Sequence, residues 1–450
     1  MKDLCIRIHH AHSQCKRILN ELITAAIKAA DPQQVLQKTL IRKGSRLKAA
    51  SLSYDLSQFR RIVSIGAGKA SGKMAVALEQ VLGERLESGI VIVKDGYGET
   101  CQKIQVREAA HPIPDGRGVK ATRQILSLAH SLTKNDLLIV LFSGGASSLL
   151  CAPPAGLTLA DKQRTTRLLL RSGAAIEDIN VVRKHLSVVK GGYLAQATSA
   201  RILTLMISDV LGDDPATIGS GPTVPDPTTF QDAIDLLKQL KIWTKVPASV
   251  QRHLKNGVSE KISETLKPSK QWALRNRHII LANNRDAVEG VAAAARRLKL
   301  HPFIFPTFIQ GEAKEIGHIL GSVARDLVEF GNPVRPPACF IAGGEPTVTV
   351  TGTGKGGRAQ ECVLAAAKEV AGLRHVFVAG FGTDGTDGPN EVAGALVDGK
   401  TTERASRKGV NISKFLDNQD SYHFFKALGG HIITGPTGTN VNDISLVLAL

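Results

Sequence analysis

The stretch RIVSIGAGKASGKMAVALEQVLGERL, residues 61–86, decides the architecture. Arg61 to Ile65 is a short aliphatic run, and it feeds a turn containing Gly66, Gly68 and Gly72. From Met74 to Leu86 the apolar positions recur at helical spacing. Strand, glycine turn and helix in that order open a βα unit.

Working outward, the same kind of apolar run returns at Gly89–Val93, Leu137–Phe142 and Arg201–Ile207, with helix-period segments between. Runs buried on both faces and separated by helices argue for a mostly parallel sheet, a Rossmann-like three-layer α/β domain. Upstream, Ile18, Leu22, Ile23, Ala26 and Ile27 mark an amphipathic helical segment extending to about residue 50. Between Phe230 and Arg277 the pattern loosens around Pro247 and Pro268. A second alternation follows, with strands expected at His278–Leu281, Phe303–Phe305, Cys339–Ala342, Thr347–Val350, Val376–Ala379 and Ile444–Leu448. Thr347–Val350 and Phe340–Ala342 read as a hairpin, so the second α/β domain is expected to hold a mixed sheet. The predicted boundaries are 1–245, a linking segment 246–276, and 277–450.

At 450 residues the chain should form more than one core. Aromatic residues are only 4%, so those cores should be aliphatic. The net charge of +17 favours anionic partners. Nucleic acid is not expected, because no basic face interleaved with aromatics and no binding motif is present. The six cysteines, including Cys5, show no zinc spacing and are expected as reduced thiols. His9, His10 and His12 are expected to be solvent-exposed. Leu137 to Ala160 carries no charge, yet its glycines and prolines break any spanning helix, so no membrane partner is expected. With no apolar signal segment at Met1–Asn20, a cytoplasmic location is expected. Homo-oligomerisation is left open.

Four polar segments carry the candidate chemistry. Gly66-Ala67-Gly68-Lys69 sits between strand and helix, where backbone N–H groups attract phosphate and a lysine adds charge. It matches neither a P-loop nor a dinucleotide fingerprint, and Asp95 is far along for a ribose-binding acid. Ser143, Gly144, Gly145, Ser147 and Ser148 form a second turn after a strand, suited to phosphate through amides and hydroxyls, or purely structural. It is not a nucleophile elbow, since no glycine follows Ser147. Asp209, with Asp213 and Asp214 beyond it, is placed at a strand end to ligate Mg²⁺; a solvated acidic loop is the alternative. In the second half, a flexible Thr351–Gly357 loop leads into a helix beginning at Arg358, able to bind a carboxylate or phosphoryl group. Asp384 and Asp387 lie between glycines and can accept a hydroxyl proton, ligate a metal, or cap turns. His111 and His185 are either ligand-facing or buried structural histidines.

The segments GAGKASGKMA, HPIPD, SGGASSLL, VRKHLSVVKGG, ISDVLGDDPATIGSGPT, GGEPTVTVTGTGKGGRAQE, GTDGTDGP and GPTGTNVNDISLVL together resemble the glycerate 2-kinase family with its C-terminal MOFRL domain. The resemblance runs from about residue 62 to the C-terminus. It implies ATP-dependent phosphorylation of D-glycerate to 2-phosphoglycerate, with Mg²⁺, in a cleft between domains. It also carries the family's turn lysine onto Lys69, its helix-start arginine onto Arg358, its acidic pair onto Asp384 and Asp387, and its strand-end aspartate onto Asp209. Lys69, Arg358 and Asp384 are then the catalytic expectations, with Asp384 as base. Gly66, Gly68 and the Ser143–Ser148 turn are the nucleotide-binding ones, and Asp209 and Asp387 the metal ligands. Two rivals stand beside this: an NAD(P)H-dependent hydroxypyruvate reductase, and a non-catalytic anion-binding module working through the basic N-terminus.

Overall fold

The computed structural model describes residues 6–8 and 13–450. Cys5, His9, His10 and His12, and what was expected of them, lie outside the described residues. The chain forms two compact units: Pro32–Leu281, and Ala282–Leu450 together with the described part of Met1–Asp31. The strand β1 (Arg7–Ile8) and the helix Ser13–Ala29 belong to the latter.

The Pro32–Leu281 unit begins with the helix Pro32–Thr39 and an antiparallel meander of β2 (Leu40–Lys43), β3 (Arg46–Ala49) and β4 (Leu52–Asp55). This corrects the expectation of helix to about residue 50. In β3, Leu47 and Ala49 are buried while Arg46 and Lys48 are exposed, a period of two that a helix cannot satisfy.

The main sheet of this unit contains β5 (Ile62–Ala67), β6 (Ser88–Lys94), β7 (Ile104–Ala109), β8 (Leu137–Phe142), β9 (Arg201–Ile207) and β10 (Asn276–Ala282), in the order β10-β9-β8-β5-β6-β7. Strands β5 to β9 pair in parallel. Every residue of β5 and β8 is buried, which is why both read as unbroken apolar runs. From β5 the chain winds outward through β6 to β7, then crosses back to β8 and on to β9. The order therefore reverses between β5 and β8, and in open α/β sheets the crevice at such a switch point is where ligands bind. Two expectations change here. The strand around His278–Leu281 closes this sheet rather than opening the next one. The segment 246–276 is no free linker, since Val250 and Leu254 of the helix Ala248–Val258 share a core with Phe230, Ala233 and Leu237.

The other unit is built on a seven-stranded sheet with the order β1-β15-β14-β13-β16-β12-β11. The new strands are β11 (His301–Ile304), β12 (Ala338–Gly344), β13 (Val376–Gly382), β14 (Gly394–Asp398), β15 (His431–Ile433) and β16 (Asp443–Ala449). Among the described residues only β11 and β12 pair in parallel in this sheet, so it is mixed as expected. The hairpin expected at Thr347–Val350 does not form, because β12 already has β11 and β16 on its two edges. Helices Ala313–Glu329 and Arg358–Glu369 cross closely over a shared core. A Cβ at Gly317 would stand 2.1 Å from the Cys362 carbonyl oxygen, so only glycine fits the crossing. The helix Ser13–Ala29 packs on Asn284–Arg297, where a Cβ at Gly290 would meet that of Ala29 at 2.7 Å. Its buried stripe of Ile18, Leu22, Ile23, Ala26 and Ile27 thus serves this unit, not the one it precedes in sequence. Among the described residues no helix is long and apolar enough to cross a membrane.

Candidate active site

At the switch point the turns after β5 and β8 are bolted together. Lys69 donates its backbone N–H to the Gly144 carbonyl at 2.8 Å. Ala70 donates its own to the Ser143 hydroxyl at 2.9 Å, and Ser71 Oγ donates to the Leu141 carbonyl at 3.1 Å. Gly68 has φ +140°, and a Cβ there would lie 2.1 Å from Ser143 Oγ. Gly66 would likewise collide with the Leu141 carbonyl at 2.2 Å. The predicted residues Gly66, Gly68, Lys69, Ser143, Gly144 and Gly145 are therefore one assembly. A side chain at Gly145 would meet His111 at 3.0 Å and Lys69 Cγ at 3.6 Å, which brings those two to the same turn.

The hydroxyls of this turn are largely committed inside the protein. Ser143 is buried and accepts from Ala70. Ser148 Oγ donates to the Gly145 carbonyl at 3.1 Å, and Ser147 Oγ lies 3.1 Å from Ser220 Oγ. Because Ser220 donates onward to Asn180 Oδ1 at 3.0 Å, Ser147 is the donor of that pair. Gly219, Ser220 and Gly221 are all left-handed, with φ near 63°, an unfavourable conformation for the serine.

A cavity of about 330 Å³ within the same unit is lined by His111, Ser147, Ser148, Lys162, Arg183 and Lys190, among others. The three cations were not singled out from the sequence. Lys190 is fully buried and Lys162 only 5% exposed. Burial pushes both ammonium groups down from the ordinary lysine value, Lys190 furthest because Lys162 and Arg183 stand near it. Burial also lowers Arg183. The one readable signal was the motif VRKHLSVVKGG, which holds two of the three.

Asp209 follows β9, the neighbour of β8, and is half-buried. Asp214 accepts from the Ala216 amide and the Thr217 hydroxyl, within its own loop. His185 is structural: Nε2 contacts Glu264 at 3.0 Å and Nδ1 the Val181 carbonyl at 2.7 Å. Asp95, the acid a dinucleotide site would need, forms a two-point ion pair with Arg117 at 2.7 and 2.8 Å.

In the other unit the ends of β12, β13 and β16 meet the start of the helix Arg358–Glu369. Asp443 stands in register between Gly344 and Gly382. Arg358 pairs with it, Nε to Oδ2 at 2.5 Å, and with Glu345 at 2.7 Å. These two carboxylates hold the guanidinium charged despite its burial. Burial pushes Asp443 up to about 7 with Arg358 pulling the other way. A Cβ at Gly382 would lie 3.4 Å from Asp443 Oδ1 and 3.5 Å from Asp384 Oδ1, so both carboxylates reach this sheet end. Asp384 Oδ1 accepts from the amide and hydroxyl of Thr386.

Asp387 lies against the start of the same helix. Its carboxylate is buried and accepts from the amides of Ala359 and Gln360 and from Gln360 Nε2, at 3.0, 2.9 and 2.9 Å. It caps the helix from outside, because the residue at the cap position is Gly357, whose Cβ would strike Asp387 Cγ at 2.3 Å. Three N–H donors thus occupy most of the acceptor capacity of this carboxylate, which is the capping alternative read from the sequence. The loop Thr351–Gly357 is also less loose than expected, since Gln419, Asn418 and Asp420 accept from its backbone amides. Glu361, in the first turn of the helix, is buried and pushed up to about 7 by that burial, with Asp387 and Glu312 adding to the effect. Among the described residues no three His, Cys, Asp or Glu side chains converge as a metal cluster. Mg²⁺ needs only one or two protein carboxylates beside substrate phosphates, and Asp209 suits that modest demand.

Residues 18–255 match a domain of unknown function, DUF4147, and residues 338–443 match the MOFRL family. A glycerate 2-kinase of Pyrococcus horikoshii is 41% identical over 429 residues, spanning 95% of this chain and 96% of that protein. The D-glycerate 2-kinase of Thermotoga maritima is 37% identical over 436 residues, spanning 96% and 98%. A protein of Agrobacterium vitis that carries a hydroxypyruvate reductase name is 38% identical over 436 residues, spanning 96% and 94%. The crystal structure of glycerate kinase from Thermotoga maritima superposes with a TM-score of 0.84 at 35% identity, covering 98% of this chain and 100% of that one. Fold, switch-point turns and relatives together define an α/β enzyme of the kinase class. The chain belongs to the glycerate 2-kinase family, and its C-terminal half carries the MOFRL domain.

Proposed function

We propose that this enzyme transfers the terminal phosphoryl group of ATP to the 2-hydroxyl of D-glycerate, giving 2-phosphoglycerate. The observation that carries the reading is the joint assembly at the switch point, where Lys69 and the Gly144–Gly145 turn are locked together in an arrangement suited to a polyphosphate. Phosphoryl transfer depends chiefly on positioning and on charge placed against the transferring oxygens. Lys69 and Arg358 are the proposed charges, and Asp384 is the proposed acceptor of the hydroxyl proton. A bound Mg²⁺ would offset charge on the phosphate oxygens, and Asp209 is the residue proposed to hold it.

Incubation with ATP, Mg²⁺ and D-glycerate, followed by ³¹P NMR of the product, tests the proposal. A 2-phosphoglycerate resonance is expected, and an unchanged ATP spectrum would overturn it. The reductase reading is favoured only by the name some relatives carry. Against it stands the commitment of Asp95 to Arg117. NADH loss with hydroxypyruvate would be its signature.

A further inference from the structure

We infer that the cavity lined by Lys162, Arg183 and Lys190 is a built seat for a small oxyanion, a phosphate or a carboxylate. The inference deepens the kinase reading by giving its anionic substrates a set of cations that the glycine turns do not supply.

Lys162, Arg183 and Lys190 line one cavity together with the exposed Arg167, whereas the other buried lysine of this unit, Lys184, is paired with Asp226 at 3.3 Å. Lys162 Nζ donates to the Leu186 carbonyl at 2.7 Å and Lys190 Nζ to the Gly219 carbonyl at 3.1 Å. An ammonium has three donors, so each lysine keeps two beyond those bonds. Among the described residues none of the three cations forms an ion pair with Asp or Glu, and no carboxylate is among the groups that shift them. Burying a charge without a partner is among the costliest things a fold can do, and placing three together adds their mutual repulsion. An apolar residue would fill any of these positions more cheaply if packing were the only demand. An oxyanion in the cavity resolves both costs, because it accepts the spare donors and neutralises the repulsion. The turn hydroxyls cannot substitute, since Ser147 and Ser148 already donate to Ser220 and to the Gly145 carbonyl. The clamp of Lys190 on the Gly219 carbonyl also ties the cavity to the strained left-handed loop at Ser220.

When the cavity is empty, burial favours the neutral lysines, and an anion restores their charge. Binding should therefore draw protons from solution. The groups facing Lys190 are Lys162, Arg183 and the Cys151 thiol, with His111 and the exposed Arg167 lining the same cavity.

The test is calorimetric titration of the whole protein with ADP, with D-glycerate and with inorganic phosphate, in two buffers of different ionisation enthalpy. Wild type is compared with Lys162→Met, Lys190→Met and the milder Arg183→Gln. We expect affinity for at least one anion to fall about ten-fold or more in each folded variant, as for charge-assisted hydrogen bonds, and the wild type to take up protons on binding. Loss confined to ADP identifies a nucleotide phosphate as the source, and loss confined to D-glycerate identifies the acid. Unchanged affinities in the folded variants, Arg183→Gln included, together with no proton uptake by the wild type, would overturn the seat. Should both lysine variants misfold, Arg183→Gln and the buffer comparison decide. A seat that binds phosphate in a protein forming no 2-phosphoglycerate would sink the kinase reading alone. Product formation with unaltered anion binding in the variants would sink the seat alone.

Discussion

Asp443, the first residue of β16, holds Arg358 at the start of the helix Arg358–Glu369, with Nε and Oδ2 2.5 Å apart. Glu345 flanks the same guanidinium at 2.7 Å. The arginine is thus aimed by two carboxylates from strand ends on a rigid sheet, not by its own helix. Asp443→Asn should lower kcat by about ten-fold to a hundred-fold through misplacement of Arg358. Arg358→Lys should not restore it, because lysine lacks the planar fork. Steady-state kinetics with circular dichroism as a folding control would check both, and a normal kcat in Asp443→Asn would remove the aiming role.

Lys69→Ala should reduce turnover on the order of 10² or more if the lysine offsets transition-state charge. A pre-steady-state measurement of product formation reads this directly, and near-wild-type turnover would take Lys69 out of the reaction. In parallel, an unimpaired Asp384→Asn would show that the proton goes elsewhere.

Asp387 is expected to act as a cap. Asp387→Ala should destabilise the protein by about 1–2 kcal/mol, the range for a lost helix cap. The Mg²⁺ concentration giving half-maximal activity should stay where it was. Thermal denaturation and a Mg²⁺ titration separate the outcomes, since a metal ligand would shift the second.

Gly68→Ala should fail more severely than its one-carbon change suggests. The new methyl would meet Ser143 Oγ at 2.1 Å, at φ +140°, where a side chain is already strained. Low soluble yield or a lowered melting temperature is expected, together with weakened nucleotide binding. Ser143→Ala, which strands the Ala70 amide and removes the 3.5 Å contact with the Ser71 hydroxyl, should cost about 1–3 kcal/mol.

Glu361 gives the fold a pH dependence of definite sign. Its ordinary value of 4.5 rises to about 7 in the folded protein because of burial. The native carboxyl therefore keeps a proton that the unfolded one has lost, and stability falls as pH rises from about 4.5 to about 7. Beyond that both states are ionised and the slope vanishes. The total loss from this group should be about 3–4 kcal/mol. Urea melts across that pH range should show the decline in wild type and a smaller one in Glu361→Gln.

Much of the fold could be read along the chain. The β8 limits and the start of the helix at Arg358 follow directly from apolar runs and glycine punctuation. The misreadings have particular causes. Residues 40–55 were too short and too charged for their period of two to stand out against the preceding helix. Thr347–Val350 has the composition of a strand, but both edges of β12 were already taken. Of the candidate site, the glycine turns and Arg358 were visible because their chemistry is local.

The sequence by itself settled where the central strands, their glycine turns and the longer helices lie, since burial imposes a period that neighbouring residues record. Tertiary structure alone decided who partners whom. Asp443 lies 85 residues from Arg358, Asp387 caps a helix that starts 29 residues before it, and Lys162 and Lys190 share one cavity across the helix between them. Such pairings depend on sheet order, and sheet order is fixed by the long-range packing of many residues rather than by any one stretch of chain.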